Sequence, residues 1–465
     1  MTPVAANPES PIPNPVSDLD RRLGPVDAAA IIVSNVIGGG ILFTPPQVAA
    51  LVPHGLLFLS AWAVGGFLAF AGAMAYAELA SLRPRAGGEY VYLRHAYGRL
   101  AAFLTGWTSF VAGFSGAIAA SSVVFAIYLG RFIPAAGNST PLLVLPIVPG
   151  TLQLTFSPQT ISAMVLVWGL ALLHLRGVGP GRLVGNILAA LKVSSLVAFV
   201  ALGFMFGDGR FSNVTHTGPV APAHWLLALI PVMFAYSGWN AASYIAEEIR
   251  DPGRNVPRAF ALGTGAVIAI YLALNLLYLY VVPVDELAKV NASVLDFIAD
   301  RLLGASAGNI MAVVALISLS ASVSAMTFAG PRVYFAMARD GVFFKSAGRV
   351  HPRFRTPAVA ILAQAAWSSL LILSAQADTL VNYTGFSILL FSGVAVVALF
   401  VLRSREPGAQ RPFRAWGYPV VPGLYVVASA AILLNGLIRD PGPTGTGALI
   451  IAAGVPLYYW FSRPR

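Results

Sequence analysis

What constrains this chain most is a succession of apolar runs, each about as long as a bilayer core is thick. Twelve can be read, at about 26–51, 55–81, 100–130, 160–176, 183–207, 224–248, 259–282, 307–337, 357–376, 379–402, 418–438 and 445–462. In hydrocarbon every backbone N–H and C=O must be satisfied within the protein, so runs of this kind fold as helices. Hydrophobic residues make up 57% of the 465, and charged residues only 10%. That balance excludes a soluble globular protein and predicts an all-α polytopic membrane protein.

The formal net charge of +11 could suggest nucleic acid as a partner, but its distribution argues otherwise. With the N-terminus inside, 23 of the 29 Lys and Arg fall on the cytoplasmic side, 5 fall outside, and one, Lys192, lies within a span. This asymmetry places both termini in the cytoplasm of a cell (inner) membrane protein and makes the basic charge topological. No nucleic acid is expected. Cysteine is absent, so no disulfide is possible, either internally or to a partner subunit. Residues 1–24 are rich in Pro, Asn and Ser without an apolar core, and read as a disordered cytoplasmic tail.

The first run is interrupted. Ser34 to Pro46 reads Ser-Asn-Val-Ile-Gly-Gly-Gly-Ile-Leu-Phe-Thr-Pro-Pro, with three glycines where helix propensity is worst. A helix broken at mid-membrane survives only where protein or a polar cavity satisfies the freed backbone groups. A glycine face for helix packing is the alternative. The sixth run repeats the feature in Phe234-Ala235-Tyr236-Ser237-Gly238-Trp239-Asn240. Paired interruptions at matching positions of two halves are the signature of inverted-repeat transporters. The domains expected are therefore a tail at 1–24, five-span repeats at 25–207 and 208–402, and two additional spans at 403–465.

The fifth run carries Lys192, about 14 Å in from a start near Leu183. An unpaired ammonium at that depth costs at least ~2.5–3.5 kcal/mol, so a partner inside the bundle is expected. Elsewhere, Glu78 and Glu89 read as partners for basic residues at the membrane edge. The turn Gly177-Val178-Gly179-Pro180-Gly181 lacks the glycine register and the preceding strand of a nucleotide loop. Residues 247–258 read as a cytoplasmic salt-bridge cluster, and about 285–304 as a short amphipathic outer helix. Ser318, Ser320, Ser322 and Ser324 spread over several faces of the eighth span. No metal site and no cofactor is expected.

Together these residues resemble the amino acid–polyamine–organocation (APC) superfamily, most closely its L-type amino acid transporter branch. The matches are Gly38-Gly39-Gly40-Ile41, Tyr76-Ala77-Glu78-Leu79, Gly87-Gly88-Glu89-Tyr90, Phe234 to Asn240, the Glu247-Glu248-Ile249-Arg250-Asp251-Pro252 run, and Ala338-Arg339-Asp340-Gly341. The resemblance implies a five-plus-five inverted repeat with two extra spans, like the sodium-coupled leucine transporter fold, with helices 1 and 6 discontinuous. It implies that Lys192 takes the place of a sodium ion bridging the first and eighth spans, with Ser320 or Ser324 among its partners, and that Phe234 acts as an aromatic gate. Two departures stand out. Gly39 replaces the family's usual Ser, and Ser237 its usual Gly. Animal members are tethered to a heavy subunit through a Cys, and this chain has none.

The two breaks suit a zwitterion. The helix restarting at Gly39 and Gly40 offers free N–H groups to a carboxylate, while carbonyls of Val36, Phe234, Ala235 and Ser237 face an ammonium. The substrate-binding set expected is Val36, Ile37, Gly38, Gly39, Gly40, Ile41, Phe234, Ala235 and Ser237. No acidic residue lies mid-span near either break, which favours neutral amino acids, and the CH₂OH of Ser237 in place of the family's Gly takes up side-chain space, which favours small ones. The function expected is sodium-independent secondary transport by alternating access, in exchange mode. Proton-coupled symport using Lys192 is the alternative. A channel would need a continuous polar ring, and an enzyme a catalytic constellation that His174 and the Ser row do not assemble.

Overall fold

The computed structural model describes residues 19–148, 152–290, 293–304, 307–374, 377–439 and 441–463. Seven described helices are long and apolar enough to cross a membrane, and an eighth crossing is made by Pro25–Val36 (α1) and Gly39–Leu51 (α2), bent by 49° at their junction. The seven include Gly55–Leu82 (α3), Arg99–Leu129, Pro158–Leu175, Val178–Phe206, Pro252–Val281 and Gly308–Arg339. Shorter apolar helices stand at Pro222–Ala235, Ala358–Leu373, Val420–Asn435 and Gly445–Phe461, where the remaining spans were read. The protein is a polytopic helical membrane protein.

The sixth run is helical over Pro222–Ala235 only, then turns through 236–240 before one helical turn at Ala241–Tyr244. This is the interruption read from the sequence at Phe234 to Asn240 within the span at about 224–248. Gly238 sits at φ +99°, a left-handed conformation that L side chains rarely adopt. A β-carbon there would meet Asn35 Nδ2 at 2.6 Å. Glycine therefore lets the second break turn directly against the first.

The breaks are set by aromatic packing. Gly65 and Gly72 on α3 leave room for Val232 and Trp239, whose atoms a β-carbon would meet at 2.3 and 2.7 Å. Small residues of this kind let helices approach closely without a hydrophobic driving force between them. Tyr236 donates to the Trp62 carbonyl at 3.2 Å, and its ring lies 5.0 Å from that of Tyr271. Trp62 completes the cluster, 5.8 Å from Tyr271 and edge-on to it, a favourable quadrupole geometry.

One face of the bundle is fastened by ion pairs. Glu248 and Arg332, both fully buried, meet in a forked pair at 2.7 and 3.1 Å. Glu247 pairs with Arg339 at 3.2 Å and accepts the Ala86 N–H at 2.9 Å. Arg94 pairs with Asp340, Arg83 with Glu406, and Glu78 with Arg403 and Arg411. These contacts gather the loops rich in Arg onto a single basic face. Glu78 and the acids at 247 and 248 thus take the ionic roles read for them, though the partners come from distant segments.

Two sequence expectations change. Of the tail read over 1–24, residues 1–18 lie outside the described residues, but Leu19, Leu23 and Gly24 are buried. Leu23 is fully buried and forms a parallel bridge with Ile249, with hydrogen bonds of 3.0 and 2.9 Å. The segment between the third and fourth spans contains an antiparallel hairpin, Leu143–Val148 with Leu152–Phe156. The first strand is apolar throughout and the second alternates apolar with polar residues, a pattern that Pro146 obscured in the sequence. The segment read at about 285–304 as one short helix is helical at Val284–Leu287 and again at Val294–Leu303.

Candidate functional site

Lys192 is fully buried. Its ammonium donates to the Ser34 carbonyl at 3.0 Å, to the Ile37 carbonyl, and to Ser322 Oγ at 3.1 Å. Ser322 Oγ itself lies 2.8 Å from the Ser34 oxygen and 3.0 Å from the Ile37 oxygen. An ammonium has three donors and no acceptor, and here all three are used. The carbonyls are those that the end of α1 leaves without helical partners. The Lys192 ammonium thus links the fifth span to the broken first and to the eighth.

The hydroxyl partner is Ser322, not Ser320 or Ser324. Two residues rotate a helix position by about 200°, so Ser320 and Ser324 face away from Ser322. Ser324 instead lies 2.9 Å from His174 Nε2. Ser318, one turn before Ser322, stands 3.5 Å from the Ile37 carbonyl. The carbonyl of Ile37, read from sequence as part of the substrate set, is directed to Lys192.

A second tie joins the two breaks. The Tyr271 hydroxyl lies 3.0 Å from the Val36 carbonyl and 3.0 Å from that of Ala235. Asn35 Nδ2 donates to the Gly238 carbonyl at 3.0 Å. The Phe234 carbonyl accepts the Ser237 N–H at 3.0 Å. Of the carbonyls read as open to an ammonium, those of Val36 and Ala235 share the one hydroxyl hydrogen of Tyr271 and that of Phe234 has a donor of its own, and a carbonyl keeps a second lone pair for another.

The glycines differ from one another. A β-carbon on Gly39 would meet nothing within 4 Å, whereas one on Gly40 would lie 2.9 Å from Ala235 Cα. One on Gly38 would lie 3.2 Å from Ser322 Oγ. The helix beginning at Gly39 has no side-chain cap on its N-terminus, which leaves its first N–H groups available to an anion. Ile41 is buried.

Beside the breaks lies a cavity whose wall includes Asn35, Ser237, Gly238, Asn240, Thr105 and Glu89. The third span contributes Ser109 and Gly113, the ends of a single π-helical turn, an irregularity that often marks functional positions. Phe234 is half-buried and, like Gly38 to Ile41, does not line this cavity. Of the site residues read from the sequence, Ser237 is on its wall and the others are not.

Glu89 departs from its sequence reading. It is buried, and its Oε1 accepts from the Tyr76 hydroxyl at 2.7 Å and Asn240 Nδ2 at 2.6 Å. Burial pushes its pKa up, while hydrogen bonds from Tyr76, Asn240 and Tyr244 oppose the rise. Sequence reasoning also passed over Asn35, Tyr271 and Ser322 as participants. Asn35 carried a signal, as an amide inside an apolar run, and Ser322 stood in the noted Ser row. Tyr271 carried none. Among the described residues no group of three or more His, Asp or Glu could hold a metal.

Comparison with known proteins agrees with this geometry. The model of a family described as amino acid permease matches residues 23–461. The chain is 30% identical over 458 residues to the Asc-type amino acid transporter 1 of Mus musculus, covering 96% of this chain and 83% of that protein. It is 27% identical over 449 residues to the serine/threonine exchanger SteT of Bacillus subtilis (strain 168), covering 96% and 98%. It is 30% identical over 468 residues to the large neutral amino acids transporter small subunit 2 of Homo sapiens, covering 96% and 82%. With its broken first span, its buried lysine and a match across nearly its whole length, the chain belongs to the amino acid permease family.

Proposed function

We propose that this protein carries small neutral L-amino acids across the cell membrane by sodium-independent alternating access, in exchange mode. The observation that carries the reading is the Lys192 ammonium, held by two carbonyls of the first break and by Ser322 on the eighth span. A built-in cation at that junction does the structural work that a bound cation would otherwise do. The names of the relatives, an amino acid transporter and a serine/threonine exchanger, support both the substrate class and the exchange mode.

The substrate carboxylate would lie at the uncapped helix start at Gly39 and Gly40, and its ammonium beside the carbonyls of Val36, Ala235 and Ser237. Phe234 would close over it. The chain divides into five-span repeats at 25–207 and 208–402, with two further spans at 403–465. Rocking of one set of helices against the other would move the site between the two faces. The basic face is cytoplasmic, by the bias of Lys and Arg, and both termini lie there. Without cysteine the chain acts with no disulfide-linked heavy subunit.

Purified protein in proteoliposomes tests this reading. Uptake of a radiolabelled amino-acid panel is measured with and without the same amino acid trapped inside. Acceleration by trapped neutral amino acid supports exchange. A pH gradient that drives accumulation into substrate-free vesicles would contradict it.

A further inference from the structure

The wall of the cavity beside the breaks includes Ser237 and Gly238 and also Glu89, the first residue of the helix Glu89–Tyr97, whose Arg94 pairs with Asp340 on the basic face. Every other buried acid fastening that face has a cation: Glu78 has Arg403 and Arg411, Glu247 has Arg339, and Glu248 has Arg332. Glu89 is bonded only to neutral donors, the hydroxyls of Tyr76 and Tyr244 and the amide of Asn240. No described Lys, Arg or His is paired with it. The acid left without a cation is the one that lines the cavity.

The neighbouring wall has matching polarity. Thr105 and Thr108 line the same cavity, and each has spent its hydroxyl hydrogen on a backbone carbonyl one turn earlier, at 3.1 and 2.8 Å. What they present to the cavity is oxygen lone pairs. A wall of acceptors that includes a carboxylate suits an ammonium and repels a carboxylate. Buried charge is stable only when compensated, and a zwitterionic substrate brings the missing cation.

We propose that Glu89 is the counter-ion for the substrate's α-ammonium in this cavity, a second, transient site that sets affinity on the basic face alone. This rests on the transport reading above. The amino acid would leave the breaks ammonium first, and one entering from the basic face would be drawn in at Glu89. Cation and anion pair there without proton transfer.

The test uses full-length protein reconstituted in a single orientation, with half-saturation for L-alanine exchange measured separately on each face. Wild type, Glu89→Gln and Glu89→Asp are compared. Hydrogen bonds to charged groups are worth enough that Glu89→Gln should raise half-saturation on the basic face about ten-fold or more, with the opposite face unchanged. Glu89→Asp, which keeps the charge on a shorter stem, should give a smaller rise confined to the same face. It also serves as the deciding variant should Glu89→Gln fail to insert. Equal shifts on both faces, or no shift, would overturn the proposal. So would loss of a pH dependence at unchanged half-saturation, which would make Glu89 a proton carrier. Wild type that fails to exchange amino acids would overturn the transport reading and this one together. Wild type that exchanges while both variants match it overturns this one alone.

Discussion

The Lys192 ammonium and the Ser322 hydroxyl stand 3.1 Å apart, and both reach the same two carbonyls, those of Ser34 and Ile37. The fifth and eighth spans therefore hold the broken end of the first between them. Lys192→Ala should insert normally, because insertion follows hydrophobicity, yet lose transport by about ten- to a hundred-fold for each charged hydrogen bond removed. Ser322→Ala should cost about ten-fold. Ser320→Ala, on the other side of the helix, should transport like wild type. Initial exchange rates normalised to reconstituted protein check all three.

Tyr271 ties the two breaks through one hydroxyl, 3.0 Å from the carbonyls of Val36 and Ala235. Tyr271→Phe keeps the ring among Trp62 and Tyr236 but leaves buried carbonyls short of a donor. The expected cost is about 1–3 kcal/mol, seen as a lower thermal midpoint in detergent together with slower exchange.

Gly39 and Gly40 should separate stability from binding. A β-carbon at Gly40 would press on the Ala235 backbone at 2.9 Å, and one at Gly39 would enter open space. Gly40→Ala should cost ~1–3 kcal/mol by overpacking. Gly39→Ala should leave thermal stability unchanged while weakening substrate affinity. Equal destabilisation by both would contradict the packing described.

Ser237 lines the cavity next to Gly238. Its CH₂OH group should limit the substrate's side chain, with overpacking of a close-fitting site costing ~1–3 kcal/mol. Ala, Ser or Val should therefore compete better than Trp for uptake. Ser237→Gly should improve competition by large aromatic amino acids more than by Ala. A wild type that already prefers Trp would remove Ser237 from the side-chain pocket.

The periodic parts of this fold were legible in the sequence, and the parts set by contact were not. Apolar length and glycine placement located the helices and the break after Val36, because the bilayer imposes those features locally. A lysine in mid-span announced its own importance through the cost of burying it. Which serine would meet it depended on helix phase: Ser320, Ser322 and Ser324 are equal in the sequence, and only Ser322 turns toward the first break. Tyr271 was invisible because a tyrosine in an apolar span is ordinary until its neighbours are known. Glu89 was misread for a similar reason. Next to Arg83 and Arg85 in the chain, it looked like an edge acid, but the Gly87–Gly88 turn carries it inward to Tyr76 and Asn240. The burial of Leu23 against Ile249 also depended on a distant partner, whereas the local hairpin of Leu143–Val148 with Leu152–Phe156 was hidden by its proline.

The measurement that bears most directly on the central claim is exchange of radiolabelled L-alanine into proteoliposomes with external Na⁺ replaced by choline. If the Lys192 ammonium fills the place of a coupling cation, the initial rate and half-saturation should be the same in both media. A steep dependence on Na⁺ would contradict the assignment of Lys192 and, with it, the account of how the first, fifth and eighth spans are joined.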